Sequence, residues 1–295
     1  MGGQSEEFLA HAATGLTTLC RAWAITRQDG TTFGFTDHDR DLAFDGVTFR
    51  AETGLSASAL AQSTGLSVDN TEALGALSDA AVREDEIEAG RFDGADVRAW
   101  LVNWAAPDTR WLQFRGTIGE IRRAGGAFHA ELRGLTEALN RPLGRIYQKP
   151  CTAVLGDAAC GFDVTQPGYR FEGVADRIIK GRVFEWDAMA GFDENWFQRG
   201  RLDVLSGASA GLWGMIKRDA IEDGVRRIEL WEPIRGGIGD SETVRLTVGC
   251  DKRFDTCRLK FDNLANFQGF PDLPGDDWVI AYPDSGGANT GGSLR

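Results

Sequence analysis

The sequence predicts a mainly β protein of two domains with only a few short helices. Three observations carry this. Glycine makes up 38 of 295 residues against eight prolines, nearly twice its usual share, and is scattered without a period, as turns between short strands require. Short runs of β-branched and aromatic residues are interleaved with charged ones. The length is about two domains of ~150 residues.

The elements follow in order. Residues 22–35 are two strand-like runs around Gln28-Asp29-Gly30, and residues 43–51 repeat the device around Asp45-Gly46, flanked by Phe44, Val47 and Phe49; both are hairpin signals. Residues 97–104, 111–115, 118–122 and 127–133 read as a meander with one wet face. Helical signal is confined to residues 79–89, closed by Gly90, and 136–140, closed by Pro142. A turn-rich stretch, 144–150, precedes the first of four late cysteines, which sets an amino-terminal β-rich domain of barrel or sandwich type at residues 1–149. A second domain spans 150–278, with strands expected at 183–186, 202–205, 212–217 and 225–231. Residues 279–295 form a Gly/Ser-rich tail expected to be flexible. No period of 20–50 residues indicates a solenoid or propeller.

Charge narrows the function. With 32 basic and 44 acidic residues the net charge is −12, which repels phosphates and argues against a free-standing nucleic-acid binder. Only five basic residues are lysine, so 27 are arginine, whose planar fork suits protein interfaces. No apolar run approaches the ~20 residues of a membrane helix. The first seven residues carry two acidic groups, Glu6 and Glu7, where a secretory signal carries basic ones, so synthesis in the cytoplasm is expected.

Two apparent motifs fail on their chemistry. Gly207-Ala208-Ser209-Ala210-Gly211 has the form of a hydrolase nucleophile elbow. That elbow needs a strand before it, a helix after it and a later histidine, yet His11, His38 and His129 all lie upstream. A turn of small residues between two strands is the better reading. Asp37-His38-Asp39-Arg40-Asp41 imitates the start of a calcium loop but has Leu42 and Thr48 where that loop needs Gly and Glu, so it reads as a charged connection. No catalytic constellation emerges. Cys20, beside an apolar run, reads as a small core residue.

The other cysteines form two pairs, Cys151/Cys160 and Cys250/Cys257, about ninety residues apart. Disulfides conflict with synthesis in a reducing cytosol. Zinc usually takes closer-spaced ligands; an iron–sulfur cluster tolerates wider spacing. Spacing alone leaves cluster, zinc and unbridged structural cysteines open.

The residues around them resemble a known family. Residues 151–163 and 249–257, with Lys260-Phe261-Asp262-Asn263 and residues 266–275, are similar to segments of phage tail-tip hub proteins. Residues 33–42, 85–93 and 102–104 resemble the form found in alphaproteobacterial prophages and gene transfer agents. The resemblance covers most of residues 15–280. It implies a structural hub, not an enzyme, in the tail tip or baseplate of a phage-like particle. Such a hub closes the distal tail tube as a ring of three copies. It sits beneath a ring of distal tail protein and attaches the tail-tip peptidase and the large host-contacting fibre or spike, with DNA met only in passage and no stable membrane insertion. Relatives in lambda-like tails hold a [4Fe–4S] cluster in a four-cysteine domain, which implies Cys151, Cys160, Cys250 and Cys257 as its ligands. An iron–sulfur redox enzyme and a zinc-bearing binding module are the alternatives.

Overall fold

A computed structural model describes residues 6–51, 56–57, 70–76, 83–124, 127–134 and 144–273. The helix expected at 136–140, the start of that at 79–89, Pro274-Gly275 and the tail at 279–295 lie outside them. The chain divides into two units, Met1–Pro142 and Leu143–Arg295. The turn-rich stretch at 144–150 belongs to the second unit, where Gln148 O accepts from Phe270 N–H at 2.9 Å.

The first unit opens with helix α1 (Glu6–Ala13), followed by strands β1 (Leu19–Thr26), β2 (Thr32–Thr36), β3 (Leu42–Phe44), β4 (Val47–Arg50), β5 (Ser56–Ala57) and β6 (Asn70–Ala76). Helix α2 (Glu84–Glu88) and strands β7 (Asp96–Asn103), β8 (Arg110–Ala124) and β9 (Ala127–Gly134) complete it. Among the described residues the strands form one sheet in the order β3-β4-β2-β1-β7-β8-β9-β6-β5. It is antiparallel except for the parallel pair β2/β4. Both hairpins form where turn chemistry placed them; Asp45 and Gly46 have φ of 50° and 73°.

Strand β1 is buried on both faces because its alternate residues feed two cores. Trp23 and Ile25 join Phe35, Phe92, Val97 and Phe114. Cys20, Ala22 and Ala24 join Phe44, Phe49, Trp100 and Val102, where Phe44 and Phe49 stack at 4.0 Å with Trp100 edge-on to both. Cys20 is therefore a core residue, with burial pushing its thiol up to about 11. Cys20→Ala removes one buried atom, so urea unfolding should register a loss of about 1 kcal/mol and no change in metal content.

Two expected runs, 111–115 and 118–122, are a single strand. Gly116 between them is no turn: a Cβ there would overlap the Arg133 carbonyl oxygen of β9, so glycine permits a close backbone approach.

The second unit contains β10 (Arg170–Val174), β11 (Arg177–Ile179), β12 (Val183–Trp186), β13 (Arg201–Val204), β14 (Trp213–Glu222), β15 (Val225–Leu230) and β16 (Thr243–Thr247). A six-residue helix α3 (Phe254–Leu259) and a 3-10 turn (Leu264–Asn266) follow. The described strands are ordered β10-β16-β13-β14-β15-β12-β11, and every pairing is antiparallel. The two edge strands are separated in sequence by only Ala175 and Asp176. Seven strands spaced ~4.8 Å apart would span nearly 30 Å if flat, so the sheet must curl to bring its edges together. The curl encloses Phe184, Phe197, Leu202, Ile216, Ile228, Leu230, Val244 and Leu246, all at 0% exposure.

One charged pair lies inside this core. Arg226 of β15 and Asp219 of β14, 1% and 0% exposed, meet at 2.6 Å. Arg226 also donates to the Phe192 and Asp193 carbonyls at 2.9 and 2.8 Å, and Asp219 Oδ2 accepts from Phe197 N–H at 2.8 Å. The pair thereby fixes the loop at residues 192–197 that carries Trp196.

Candidate metal centre

Strand pairing explains how two cysteine pairs about ninety residues apart can meet. Strands β10 and β16 are antiparallel, and Arg170, the first residue of β10, faces Thr247, the last of β16. The chain entering β10 and the chain leaving β16 therefore lie side by side. Cys160 lies ten residues before that point and Cys250 three after it. Cys151 is drawn in by its own N–H, which donates to Lys252 O at 2.8 Å, and Cys257 sits on α3.

All four cysteines line one recess with about 340 Å³ of empty space, part of it open solvent, together with Ala153, Leu155, Lys252, Phe261 and Phe267. Beneath it Phe162, Val248 and Phe261 form a small apolar core against which Cys160 and Cys250 pack. The four thiols are unbridged. Among the described residues, no cluster of three or more His, Cys, Asp or Glu side chains stands ready-made around a single metal ion.

Three of the sulfurs accept hydrogen bonds from N–H groups. Lys252 N–H donates to Cys250 Sγ and Gln268 N–H to Cys151 Sγ, each at 3.4 Å, and Asn263 Nδ2 donates to Cys160 Sγ at 3.6 Å. Cys257 Sγ instead donates to Asn263 O at 3.3 Å. Asn263 further holds Cys160 O at 2.7 Å, so one side chain joins the two segments. Desolvation pushes the Cys257 thiol up to about 11, and Cys151, Cys250 and Cys160 act in the same direction. Cys250 is raised chiefly by burial, with the Lys252 N–H and charge opposing. Burial thus disfavours the thiolate at Cys250 and Cys257; a bound metal cation inverts that preference. An all-sulfur donor set with N–H groups aimed at the sulfurs fits a soft, thiophilic metal group.

Gly249 is a fixed point of the loop. A Cβ there would overlap the Gln198 carbonyl oxygen and crowd the Gly200 nitrogen, so the chain entering Cys250 needs its bare backbone. Gly249→Ala should destabilise the second unit by about 1–3 kcal/mol in urea unfolding; an unchanged midpoint would show that the loop has room to move.

The rejected motifs are structural. Ser209 is 1% exposed and donates to Gly237 O, in a turn joining β13 to β14. In the Asp37–Asp41 loop, Asp37 Oδ1 accepts from Arg21 N–H at 2.6 Å and Asp41 Oδ1 from Ala51 N–H at 2.8 Å. These carboxylates brace the strands. Two supporting residues enter the sequence reading only as ends of the similar segment Lys260–Asn263, with no role of their own: Asn263 lies beside Cys160, and Lys260 turns its Nζ inward onto backbone carbonyls.

Comparison with known proteins gives these features a context. Residues 5–163 match the family model "Baseplate hub protein, N-terminal attachment domain", and residues 195–277 match "Phage conserved hypothetical protein BR0599". The first segment brings Cys151 and Cys160, the second Cys250 and Cys257. No curated protein sequence matches the chain. A chain in the solved "Virion of native gene transfer agent (GTA) particle" is 52% identical, with a TM-score of 0.90 over 99% of this chain and 100% of that one. The first match spans more than half the sequence and the solved chain matches nearly all of it: the protein belongs to the baseplate hub family.

Proposed function

We propose that this chain is the structural hub of a phage-like particle or gene transfer agent, closing the distal end of the tail tube. The observation that carries the reading is its 52% identity, over 99% of its length, to a chain of a gene transfer agent virion. The first unit holds most of the match to the family's attachment domain, so it meets the distal tail protein ring. The peptidase and the large host-contacting fibre or spike are attached below. Three copies form the ring, and the net charge of −12 keeps passing DNA from adhering to it. The role is mechanical. Ser209, the one residue in a nucleophile-like motif, is buried and engaged.

Cys151, Cys160, Cys250 and Cys257 hold a [4Fe–4S] cluster. The reading is supported by the all-thiol donor set, the N–H groups directed at the sulfurs and the shared recess. When bound, the cluster ties the segments around Cys160 and Cys250 through metal–thiolate bonds. The chain's own part is to orient the sulfurs, through Asn263 and the Lys252 and Gln268 amides, and to shield one side with Phe162 and Phe261.

Dissociating purified particles tests the hub role: the chain should co-fractionate with tail-tip components and be required for tips that retain DNA. Complete, functional tips assembled without it would overturn the proposal.

A further inference from the structure

Lys260 caps helix α3, three residues after Cys257, and its ammonium is turned inward. Nζ donates to Trp196 O at 2.7 Å and to Gly249 O at 3.1 Å. It lies 4.3 Å from the centre of the Trp196 ring and 5.6 Å from that of Phe261. Of the carboxylates within electrostatic reach, Asp251 is paired with Arg253 and Asp219 with Arg226, and among the described residues none forms an ion pair with Lys260. Carbonyl dipoles and ring faces replace only part of an ammonium's hydration, so a half-buried cation without an anion is costly to keep.

The surroundings show what would offset that cost. The Gly249 carbonyl belongs to the peptide leading into Cys250, and Lys260 is within electrostatic reach of Cys250. Phe261, the next residue, lines the recess with all four cysteines. On the same recess Lys252 contributes a second ammonium, held by Ala153 O. Four thiolates around a zinc ion, or around a cluster core of charge +2, leave a net charge of about −2. Desolvated at the recess wall, that excess requires a positive neighbour.

We propose that Lys260 is the counter-charge and positioning residue of the four-sulfur site, offsetting the negative charge of a tetrathiolate metal complex while tying the loop before Cys250 to the helix bearing Cys257. This rests on the metal-thiolate reading given above and adds to it the residue that makes the anion tolerable. Its hydrogen bonds fix the Cys250 loop; its charge fixes the occupant's sign.

Three substitutions separate the two roles. Lys260→Arg keeps the charge, Lys260→Gln keeps a donor without the charge, and Lys260→Met removes both. On the full chain purified without oxygen, iron, sulfide and zinc are counted per chain and metal transfer to a chelator is timed. The Gln and Met variants should release metal about 10–100-fold faster than wild type, as loss of outer-shell partners does elsewhere, with Arg close to wild type. If the Met variant fails to fold, the comparison of Gln with Arg carries the result. A Gln variant as retentive as wild type, or an Arg variant as leaky as Gln, would overturn the role of the charge while leaving the metal site standing. A wild-type chain free of iron, sulfide and zinc would remove the metal site itself, and Lys260's role with it.

Discussion

Replacing any one of Cys151, Cys160, Cys250 or Cys257 by serine is expected to strip the purified chain of iron and sulfide and to unfold much of the second unit. No formed site exists in the unfolded chain, so the free energy of binding the metal group is also free energy of folding. The segments it joins are about ninety residues apart, and without it only the β10/β16 pairing and side-chain packing hold that loop closed. The apolar core under the recess is small: Phe162, Val248 and Phe261. Losing one ligand should therefore cost several kcal/mol, a large part of a domain's usual margin of about 5–15 kcal/mol. Hydrogen exchange should show protection lost around α3 and residues 148–163, with the sheet of the first unit unaffected. Brown colour and full iron content in a Cys→Ser variant would exclude that cysteine as a ligand. One zinc per colourless wild-type chain would exchange the cluster for a zinc ion at the same four residues.

Breaking the Asp219–Arg226 pair from one side is the other change expected to have a large effect. Each residue is almost wholly buried, so Asp219→Ala leaves an unpaired guanidinium and Arg226→Met an unpaired carboxylate in the core. Either should cost about 3–5 kcal/mol in urea unfolding. The double substitution should cost clearly less than the sum, because no buried charge is then left over. Single variants should also loosen the loop at residues 192–197, whose Phe192, Asp193 and Phe197 backbone groups the pair holds. Trp196 is in that loop and its carbonyl receives Lys260, so faster metal release should accompany the lost stability. Strictly additive effects would show that the two side chains act independently.

The parts of this architecture that were legible in the sequence are those set by local chemistry. The turns at Gln28-Asp29-Gly30 and Asp45-Gly46 specify their hairpins because few residues accept those backbone angles. The run Val183–Trp186 is the strand β12 as read. Strand β16 was missed although its signal is present: Val244 and Leu246 alternate with Thr243, Arg245 and Thr247, and the burial follows that period. Strands β10 and β11 are short and rich in charge, so little separates them from loops. Gly116 falls in the gap between the expected runs 111–115 and 118–122 because what requires it is a long-range contact, the Arg133 carbonyl.

The same division runs through the site. The four cysteines stand out by residue type and neighbours, but their convergence depends on the β10/β16 pairing, which no local pattern reveals. Nothing local marks Asp219, just beyond the expected run 212–217, or Arg226, within 225–231, because a buried pair is defined only by its partner across the sheet. Lys260 follows a helix whose exposed Leu259 and Arg258 give no hint that the next side chain turns inward.

The most direct measurement is a reconstruction of the intact particle at a resolution that traces side chains. The account predicts this chain in a ring at the distal end of the tail tube. Between Cys151, Cys160, Cys250 and Cys257 it predicts a compact body of density stronger than any protein atom, within bonding distance of all four sulfurs. A tail tip built without this chain, or four cysteines facing one another with only solvent between them, would contradict it.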